Sequence, residues 1–278
     1  MVDLTAEFDS GGPNAPPRVD QVAAESAGNG RIILETGGRS LPRKGLLAKQ
    51  TQADNKQTLS ERPCDQRDGT VIDNPIRGRF NAWFFQALDG YMHRKYCGIK
   101  SRLLEQPPAT VVELGSGAGA NLRYLPRGIR LIAIEPNVRM HSSLRRRAAE
   151  RGIELDLRGL RGEELDIPSE SVDFVFSSLV LCSVERPEQV IAEVRRILKP
   201  GGRFACVEHV VAPEGSATYA IQRSIRRPWK WLFEGCELCR DTGATLRSSG
   251  FSRVDVQSLV LPTIFVPIRH QIAAMCVN

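Results

Sequence analysis

The sequence contains no run of about 18 apolar residues, the length that a helix needs to cross a bilayer. Its first residues lack the basic stretch and the apolar stretch that together make a secretory signal peptide. A phosphate-binding P-loop, cysteine or histidine pairs at zinc-finger spacing and an aromatic stacking platform are also missing. From these absences we expect a cytoplasmic protein without a transmembrane segment, a bound metal or a nucleic-acid partner.

Cysteine content and net charge further limit the class of protein to which the chain can belong. The seven cysteines are odd in number and several lie in apolar segments, which indicates buried, reduced thiols rather than a disulfide framework. Cys236 and Cys239 form a single C-x-x-C motif without a second pair or a nearby histidine, a weak signal for a metal or redox site. A net charge of +6 is compatible with an acidic substrate or with peripheral membrane contact and requires neither.

Composition divides the chain into two parts. Residues 1–70 are polar, rich in glycine and proline and poor in aromatics, which predicts an N-terminal extension that is disordered or loosely packed. A lid or a partner-binding arm is the alternative for this segment. Residues 71–278 form the predicted folded domain. Within it, aromatic residues at helical spacing predict a helical lid over 75–105, and the basic, tryptophan-containing stretch 212–240 predicts an insert that covers a pocket.

Strand-like and helix-like segments alternate through the folded domain. Strand patterns occupy 110–114, 130–136, 153–159, 171–181 and 203–211, and two more are expected before the C-terminus. Such alternation predicts an α/β fold with a doubly wound, parallel sheet and helices on both faces. In this architecture ligands bind beyond the carboxyl ends of the strands, near the first strand.

The first strand runs into "VVELGSGAGANL", Val111–Leu122, in which Gly115, Gly117 and Gly119 are spaced two residues apart. A glycine turn lets the backbone approach a ligand closely because no β-carbon intervenes. Glu135 ends the second strand 20 residues after Gly115, where an acid accepts the hydroxyls of a ribose. Nicotinamide enzymes and methyl-donor enzymes share this geometry, so the glycine pattern alone does not separate them.

Three further features favour a methyl donor. Glu113 lies two residues before Gly115 in an otherwise apolar strand, where it would repel a pyrophosphate and attract a sulfonium or an ammonium. Glu163 and Glu164 follow the third strand, where an adenine edge would lie, although a solvated loop is the alternative. A Pro-Gly-Gly turn at 200–202 enters the fifth strand.

With these motifs in place, the segment from Asn74 to Asn278 resembles the class I S-adenosylmethionine-dependent methyltransferases. "SSLVLCSV", "ILKPGGRFACVEHV" and "WLFEGCELCRDT" are most similar to the methyltransferase-like thiol S-methyltransferases, also called alkyl thiol methyltransferases. The resemblance implies a Rossmann-like, seven-stranded, mostly parallel sheet whose last strand is antiparallel. It also implies S-adenosyl-L-methionine as cofactor and a small-molecule acceptor, a thiol first and a hydroxyl or amine second.

The resemblance assigns cofactor contacts to residues on the lid, on the glycine loop and at the strand ends. In this sequence they are Tyr91, Glu113, Gly115, Ser116, Gly117, Gly119, Glu135, Pro136, Gly162, Glu163, Ser177 and Leu179. Glu113 would orient the methionine amino end and Glu135 would accept the ribose hydroxyls. Gly162 and Glu163 would meet the adenine. Tyr91 would cap the carboxylate, with a core aromatic role as the alternative.

Catalytic assistance is expected from His209, which ends the fifth strand beside Glu208. We predict that His209 is a base or an acceptor contact oriented by Glu208; a hydrogen-bonded strand-end histidine is the alternative. A thiol has little need of a base, because its pKa of about 8.5 leaves some thiolate at neutral pH. Two readings from other classes remain: a non-catalytic protein that binds an adenosyl cofactor, and a nicotinamide oxidoreductase.

Overall fold

The computed structural model describes residues 77–278, except the side chains of Arg77 and Phe85. The prediction for residues 1–70 therefore lies outside the described residues. The strands are β1 Thr110–Leu114, β2 Arg130–Ile134, β3 Glu154–Arg158, β4 Val172–Ser178, β5 Leu198–His209, β6 Arg253–Val260 and β7 His270–Val277. The α-helices are α1 Arg77–Ala87, α2 Asp89–Leu103, α3 Val138–Arg151, α4 Pro187–Ile197, α5 Ala217–Leu232 and α6 Thr242–Arg247.

The seven strands form one sheet in the order β3-β2-β1-β4-β5-β7-β6. Neighbouring strands from β3 to β5 pair in parallel, and β7 pairs antiparallel with both β5 and β6. The predicted fold class is thus confirmed, including the antiparallel last strand. The carboxyl ends of β1, β2, β4 and β5 lie side by side at one edge of the sheet, which is where the fold places a ligand.

Each face of the sheet has its own apolar layer. On one face, Val190, Val194 and Ile197 of α4 pack with Leu246 of α6, all fully buried. On the other face, α2 and α3 pack against the sheet through a second cluster that includes Leu144. The period of the apolar residues in α4 matches the helical repeat, so its buried stripe could be predicted from the sequence.

Helix α3 has ends that its local sequence specifies. The side chain of Asn137 accepts a hydrogen bond from the backbone N–H of Arg139, as an N-cap does, and Gly152 ends the helix with φ +64°. Asparagine at the N-cap and glycine in the left-handed region satisfy backbone groups that the first and last turns leave unpaired. The local sequence therefore specifies where this helix begins and where it ends.

Several boundaries differ from the sequence-based expectation. The fifth strand begins at Leu198 rather than at 203, because Leu198 already pairs with Val172 before an irregularity in the β4–β5 ladder. The glycine loop after β1 leads into a short 3-10 segment, Ala120–Tyr124. The last strand begins at His270, since Pro267 within the 3-10 turn Val266–Ile268 has no N–H to give to a ladder.

Candidate active site

A cavity of about 790 Å³ lies at the carboxyl ends of β1, β2, β4 and β5. Helices α1, α2 and α5 contribute Phe84, Met92 and Trp229 to its wall. The predicted site residues that line this cavity are Gly115, Ser116, Gly117, Glu135, Pro136, Gly162, Glu163, Leu179 and His209. A second depression, of about 1270 Å³ beside α5, contains none of the predicted site residues. The cavity at the strand ends is therefore the candidate active site.

Its floor is the glycine loop after β1. Gly115 has φ +59°, and a β-carbon there would lie 2.5 Å from Val180 Cγ2, so this position accepts no side chain without displacing its neighbour. Gly117 has φ +56°, and the nearest atom to its hypothetical β-carbon is Met140 Sδ at 3.7 Å. The loop therefore presents bare backbone to the cavity, which is what close approach of a ligand requires.

Glu135 is the best-formed predicted ligand contact. Its carboxylate accepts hydrogen bonds from the backbone N–H groups of Gly117, at 2.7 Å, and Asn137, at 2.8 Å, one on each oxygen. A carboxylate offers about four lone-pair positions, so these two bonds fix its orientation and leave acceptor capacity for a ligand. Burial raises the pKa of Glu135 to about 7, with the charges of Glu113 and Glu234 acting in the same direction.

Glu113 does not reach the cavity directly. Its Oε1 accepts from Asn121 Nδ2 at 2.7 Å, and Asn121 Oδ1 accepts from Lys100 Nζ, also at 2.7 Å. Burial raises the pKa of Glu113 and lowers that of Lys100 to about 8. Asn121 and Lys100 both line the cavity, so the charge of Glu113 acts on it through them.

Lys100, which lines the cavity, was not among the predicted contacts. It lies in α2, remote from the glycine motif, and no pattern around it marks a ligand contact. Asn121 lies within the quoted motif, Val111–Leu122, but it was not among the predicted contacts either.

Where the adenine was predicted to bind, the side chain of Glu163 is engaged by protein backbone. Its Oε1 accepts from the backbone N–H of Glu185 at 3.1 Å, just before α4 begins. Gly162 packs against Val190, whose Cγ1 would lie 3.2 Å from an added β-carbon. Backbone groups of Gly162 and Glu163 are thus what this part of the wall offers.

Four predicted residues lie outside the cavity wall. Tyr91 donates its hydroxyl hydrogen to Thr263 Oγ1 at 3.1 Å, and Gly119 faces Leu122 in the core. Ser177 is fully buried in β4 and donates to Glu208 at 3.4 Å. Glu113 is the fourth, because it contacts Asn121, which itself lines the cavity. Leu179, which does line the cavity, has φ +59°, a strained conformation for leucine at the point where β4 turns into the site.

The cavity wall also contains a buried cluster of Cys182, His209 and Cys236. One ligating atom from each lies within 4.8 Å of the others. His209 Nε2 is 3.0 Å from Cys236 Sγ, and Trp229 Nε1 donates to the same sulfur at 3.2 Å. Hydrogen bonds to its sulfur from Cys182 and from these two rings hold the pKa of Cys236 well below its ordinary value. The Nδ1 atom of His209 has no hydrogen-bond partner among the described residues.

One expectation about this cluster is wrong. Glu208 does not orient His209: its carboxylate accepts from the backbone N–H groups of Val180, Leu181 and Cys182 and so fixes the turn after β4. The reason is geometric, because consecutive residues of a strand point to opposite faces of the sheet. The C-x-x-C motif, which is only a weak signal for a metal or redox site in the sequence, is divided in the structure: Cys236 lines the cavity, whereas Cys239 lines the depression beside α5.

The sheet order, the bare glycine loop after β1 and the acid at the end of β2 define the class I S-adenosylmethionine-dependent methyltransferase architecture. Comparisons agree: a family model described as a methyltransferase domain matches residues 112–206. Thiol S-methyltransferase TMT1B of Rattus norvegicus is 34% identical over 172 residues, 61% of this chain and 70% of that protein. Thiol S-methyltransferase TMT1A of Homo sapiens has the same identity, 34%, and the same shares, 61% and 70%. The chain belongs to the family of S-adenosylmethionine-dependent methyltransferases that contains these thiol S-methyltransferases.

Solved structures show the same fold at low sequence identity. The methyltransferase in complex with the Trm112 activator of Haloferax volcanii gives a TM-score of 0.54 at 19% identity, covering 74% of this chain and 99% of that one. The [4+2]-cyclase SpnF also gives 0.54 at 19% identity, covering 78% and 88%. The fold is thus shared with a protein named as a cyclase, and the methyltransferase class rests on the sequence family. Within residues 77–278, no helix is both long and apolar enough to cross a bilayer.

Proposed function

We propose that this enzyme transfers the methyl group of S-adenosyl-L-methionine to the sulfur of a small thiol. One observation carries the proposal: a single cavity joins the acid-walled glycine loop to the sulfur-rich cluster of Cys182, His209 and Cys236. Its wall also contains Met92, Phe84, Phe233 and Phe265, which suits an apolar acceptor. The thiol S-methyltransferases among its relatives support the same acceptor class.

The residues at the cofactor end fit an adenosyl group that carries a methionine. Glu135 retains lone pairs for two ribose hydroxyls, and the bare loop at Ser116 and Gly117 allows close approach. Lys100 provides a cation for the methionine carboxylate, while Glu113 provides negative charge behind Asn121 for the ammonium. S-adenosylmethionine supplies, when bound, a methyl group on a positively charged sulfur.

Methyl transfer needs alignment more than charge neutralisation. The acceptor sulfur attacks in line, and the positive charge disperses as the bond to the donor sulfur breaks. Holding the two groups in this geometry supplies up to roughly 7–11 kcal/mol. The side chains of Phe84 and Phe265 exclude water from the acceptor, and Leu179 holds the turn of β4 against the reacting groups. The proposal also includes the predicted roles of two segments. Residues 75–105 act as a helical lid, and residues 212–240 form an insert that covers the pocket.

A matched set of acceptors tests the proposal. An alkyl thiol, the alcohol and the amine of the same carbon skeleton are each incubated with enzyme and isotope-labelled S-adenosylmethionine, and methylated products are quantified by mass spectrometry. We expect the thioether to form at least tenfold faster than the ether or the methylamine. Faster methylation of the alcohol or the amine contradicts the thiol assignment while leaving the methyltransferase class intact.

Two variants complete the test. Glu135→Ala is expected to weaken cofactor binding by more than tenfold. Glu154→Ala removes an acid whose side chain is 75% exposed on β3 and should leave binding unchanged.

A further inference from the structure

We propose that Cys182, His209 and Cys236 form a three-ligand zinc site whose fourth position faces the cavity and takes the sulfur of the methyl acceptor. The second half of this proposal rests on the proposed thiol acceptor; the first half does not. The sequence predicted no metal because Cys236 and Cys239 are a single pair without zinc-finger spacing. In the structure Cys236 instead lies beside Cys182 and His209.

The distances suit a zinc ion. Zinc bonds of about 2.3 Å to sulfur and about 2.0 Å to imidazole nitrogen place tetrahedral ligand atoms roughly 3.5–3.8 Å apart. Here His209 Nε2 and Cys236 Sγ are 3.0 Å apart, and no pair among the three ligand atoms exceeds 4.8 Å. Side-chain rotations that move the ligand atoms by about one ångström would bring all three to bonding distance from a single zinc ion. Their exposed fractions are 1%, 2% and 8% for Cys182, His209 and Cys236, so bulk water does not compete for these positions.

Three separate elements hold the ligands in place before any metal arrives. Cys182 lies in the turn after β4, and its N–H donates to the Glu208 carboxylate at 3.3 Å. His209 ends β5, where it is paired with Gln271 of β7. The turn after α5 that carries Cys236 is tied to the first turn, because the N–H of Glu237 donates to the Cys182 carbonyl at 2.8 Å.

The donor set selects the metal and leaves a position open. Two thiolates and one imidazole are borderline-soft ligands that favour zinc over magnesium or calcium. Trp229 Nε1 donates to Cys236 Sγ at 3.2 Å and so supplies the kind of outer hydrogen bond that orients a metal-bound thiolate. All three ligands line the cavity shared with the glycine loop. A fourth ligand therefore enters from the side where the acceptor binds.

The chemistry balances without an oxidant or a reductant. Two thiolates and a neutral imidazole make the zinc complex neutral, and the acceptor thiol loses its proton to solvent when its sulfur becomes the fourth ligand. The bond between acceptor sulfur and methyl carbon forms as the bond between the donor sulfur and that carbon breaks. The products are a neutral thioether, which is a poor zinc ligand and leaves, and S-adenosylhomocysteine.

Metal analysis of the purified full chain tests the site itself. After dialysis against metal-free buffer, we expect about one zinc per chain in wild type and at least a tenfold loss in Cys182→Ser and in Cys236→Ser. Cys239→Ser is the matched control, since it removes the other cysteine of the motif and should retain zinc. Binding of S-adenosylhomocysteine to each variant shows whether it is folded. Zinc-free wild type that also fails to bind added Zn²⁺ overturns the site.

Cobalt substitution gives a readout that needs no variant. Co²⁺ bound by two thiolates and an imidazole should show sulfur-to-cobalt charge-transfer bands in the near ultraviolet and intense tetrahedral bands in the visible. Adding the alkyl thiol without cofactor should shift the visible bands, and the matched alcohol should not. Spectra without charge-transfer bands exclude thiolate ligation and overturn the site.

The outcomes separate the two proposals. Thiol methylation that survives complete zinc removal overturns the role of the metal and leaves the proposed function standing. In the opposite outcome, the zinc site is stable, added thiol does not change the cobalt spectrum, and the enzyme methylates only amines or alcohols. That result overturns the thiol acceptor and leaves the metal site standing.

Discussion

Ionisation of Glu135 should control cofactor affinity in the neutral pH range. The cofactor-free protein holds this carboxyl with a pKa of about 7, mainly because it is buried. Ribose hydroxyls that donate to Glu135 bind the ionised form, so binding releases a proton whenever the free site is protonated. Affinity therefore rises with pH up to about 7 and then levels off.

The expected magnitude follows from that pKa. At pH 6 about one site in eleven is ionised, so the apparent dissociation constant for S-adenosylhomocysteine should be about tenfold higher than at pH 8, or about 1.4 kcal/mol. Titration calorimetry at pH 6.0, 7.0 and 8.0 in buffers of different ionisation enthalpy measures both the affinity and the proton release. Glu135→Gln cannot ionise, so its affinity should be weaker and independent of pH over this range.

Neighbouring titratable groups set the controls. His141 Nε2 lies 2.7 Å from the Glu135 backbone carbonyl, so His141→Gln must keep the wild-type profile if Glu135 is responsible. Lys100, with a pKa of about 8, loses its charge at higher pH and would lower affinity, the opposite sign. Wild-type affinity that is flat between pH 6 and 8, without proton release, would refute the assignment of Glu135 as the ribose acceptor.

Two further predictions concern the cofactor end. Lys100→Met should weaken binding of S-adenosylhomocysteine, measured by calorimetry, by about 10–100-fold, because a charge-assisted hydrogen bond is lost. Binding of 5′-methylthioadenosine, which lacks the amino-acid part, should not change. Equal losses of affinity for both ligands would contradict a carboxylate contact. Gly115→Ala should lower the free energy of unfolding, measured with urea, by about 2–4 kcal/mol because of its positive φ and its clash with Val180. Gly128→Ala is the control, because Gly128 also has a positive φ, +77°, but no atom lies within 4 Å of the added β-carbon. This substitution should lower the free energy of unfolding by only about 1 kcal/mol. Equal losses in the two variants would mean that the clash with Val180 relaxes.

The glycine loop and the turn that holds Glu135 could be predicted because their determinants are local in sequence. The glycine loop, Glu135 and the caps of α3 all lie between 113 and 152, and each is specified by residues within one strand–turn–helix unit. Backbone turns that require positive φ leave glycine in the sequence, and strand periodicity reveals where such a turn occurs. The side-chain roles were less predictable: Glu163 binds backbone N–H groups before α4, and Glu113 acts through Asn121.

The acceptor end was not predictable because tertiary pairing creates it. Cys182 and Cys236 are far apart in sequence and come together only when the turn after β4 meets the turn after α5. The C-x-x-C spacing is only a weak signal for a site, and in the structure Cys239 lines a different depression from Cys236. A strand-end histidine at 209 was visible in the sequence, but its contact with a cysteine sulfur was not.

This division of the cavity explains how one fold can serve different chemistries. In the proposed function the cofactor wall consists of backbone and acidic residues at the ends of β1 and β2, strands that the core packs against α3. The proposed acceptor wall contains Cys182 in the turn after β4, His209 at the end of β5 and Cys236 in the turn after α5, and none of the three belongs to the glycine turn. A change at Cys182, His209 or Cys236 should therefore alter the acceptor while leaving the cofactor in place. The fold itself is also found in a protein named as a [4+2]-cyclase, which agrees with the general rule that function resides in the side chains a fold presents rather than in the fold.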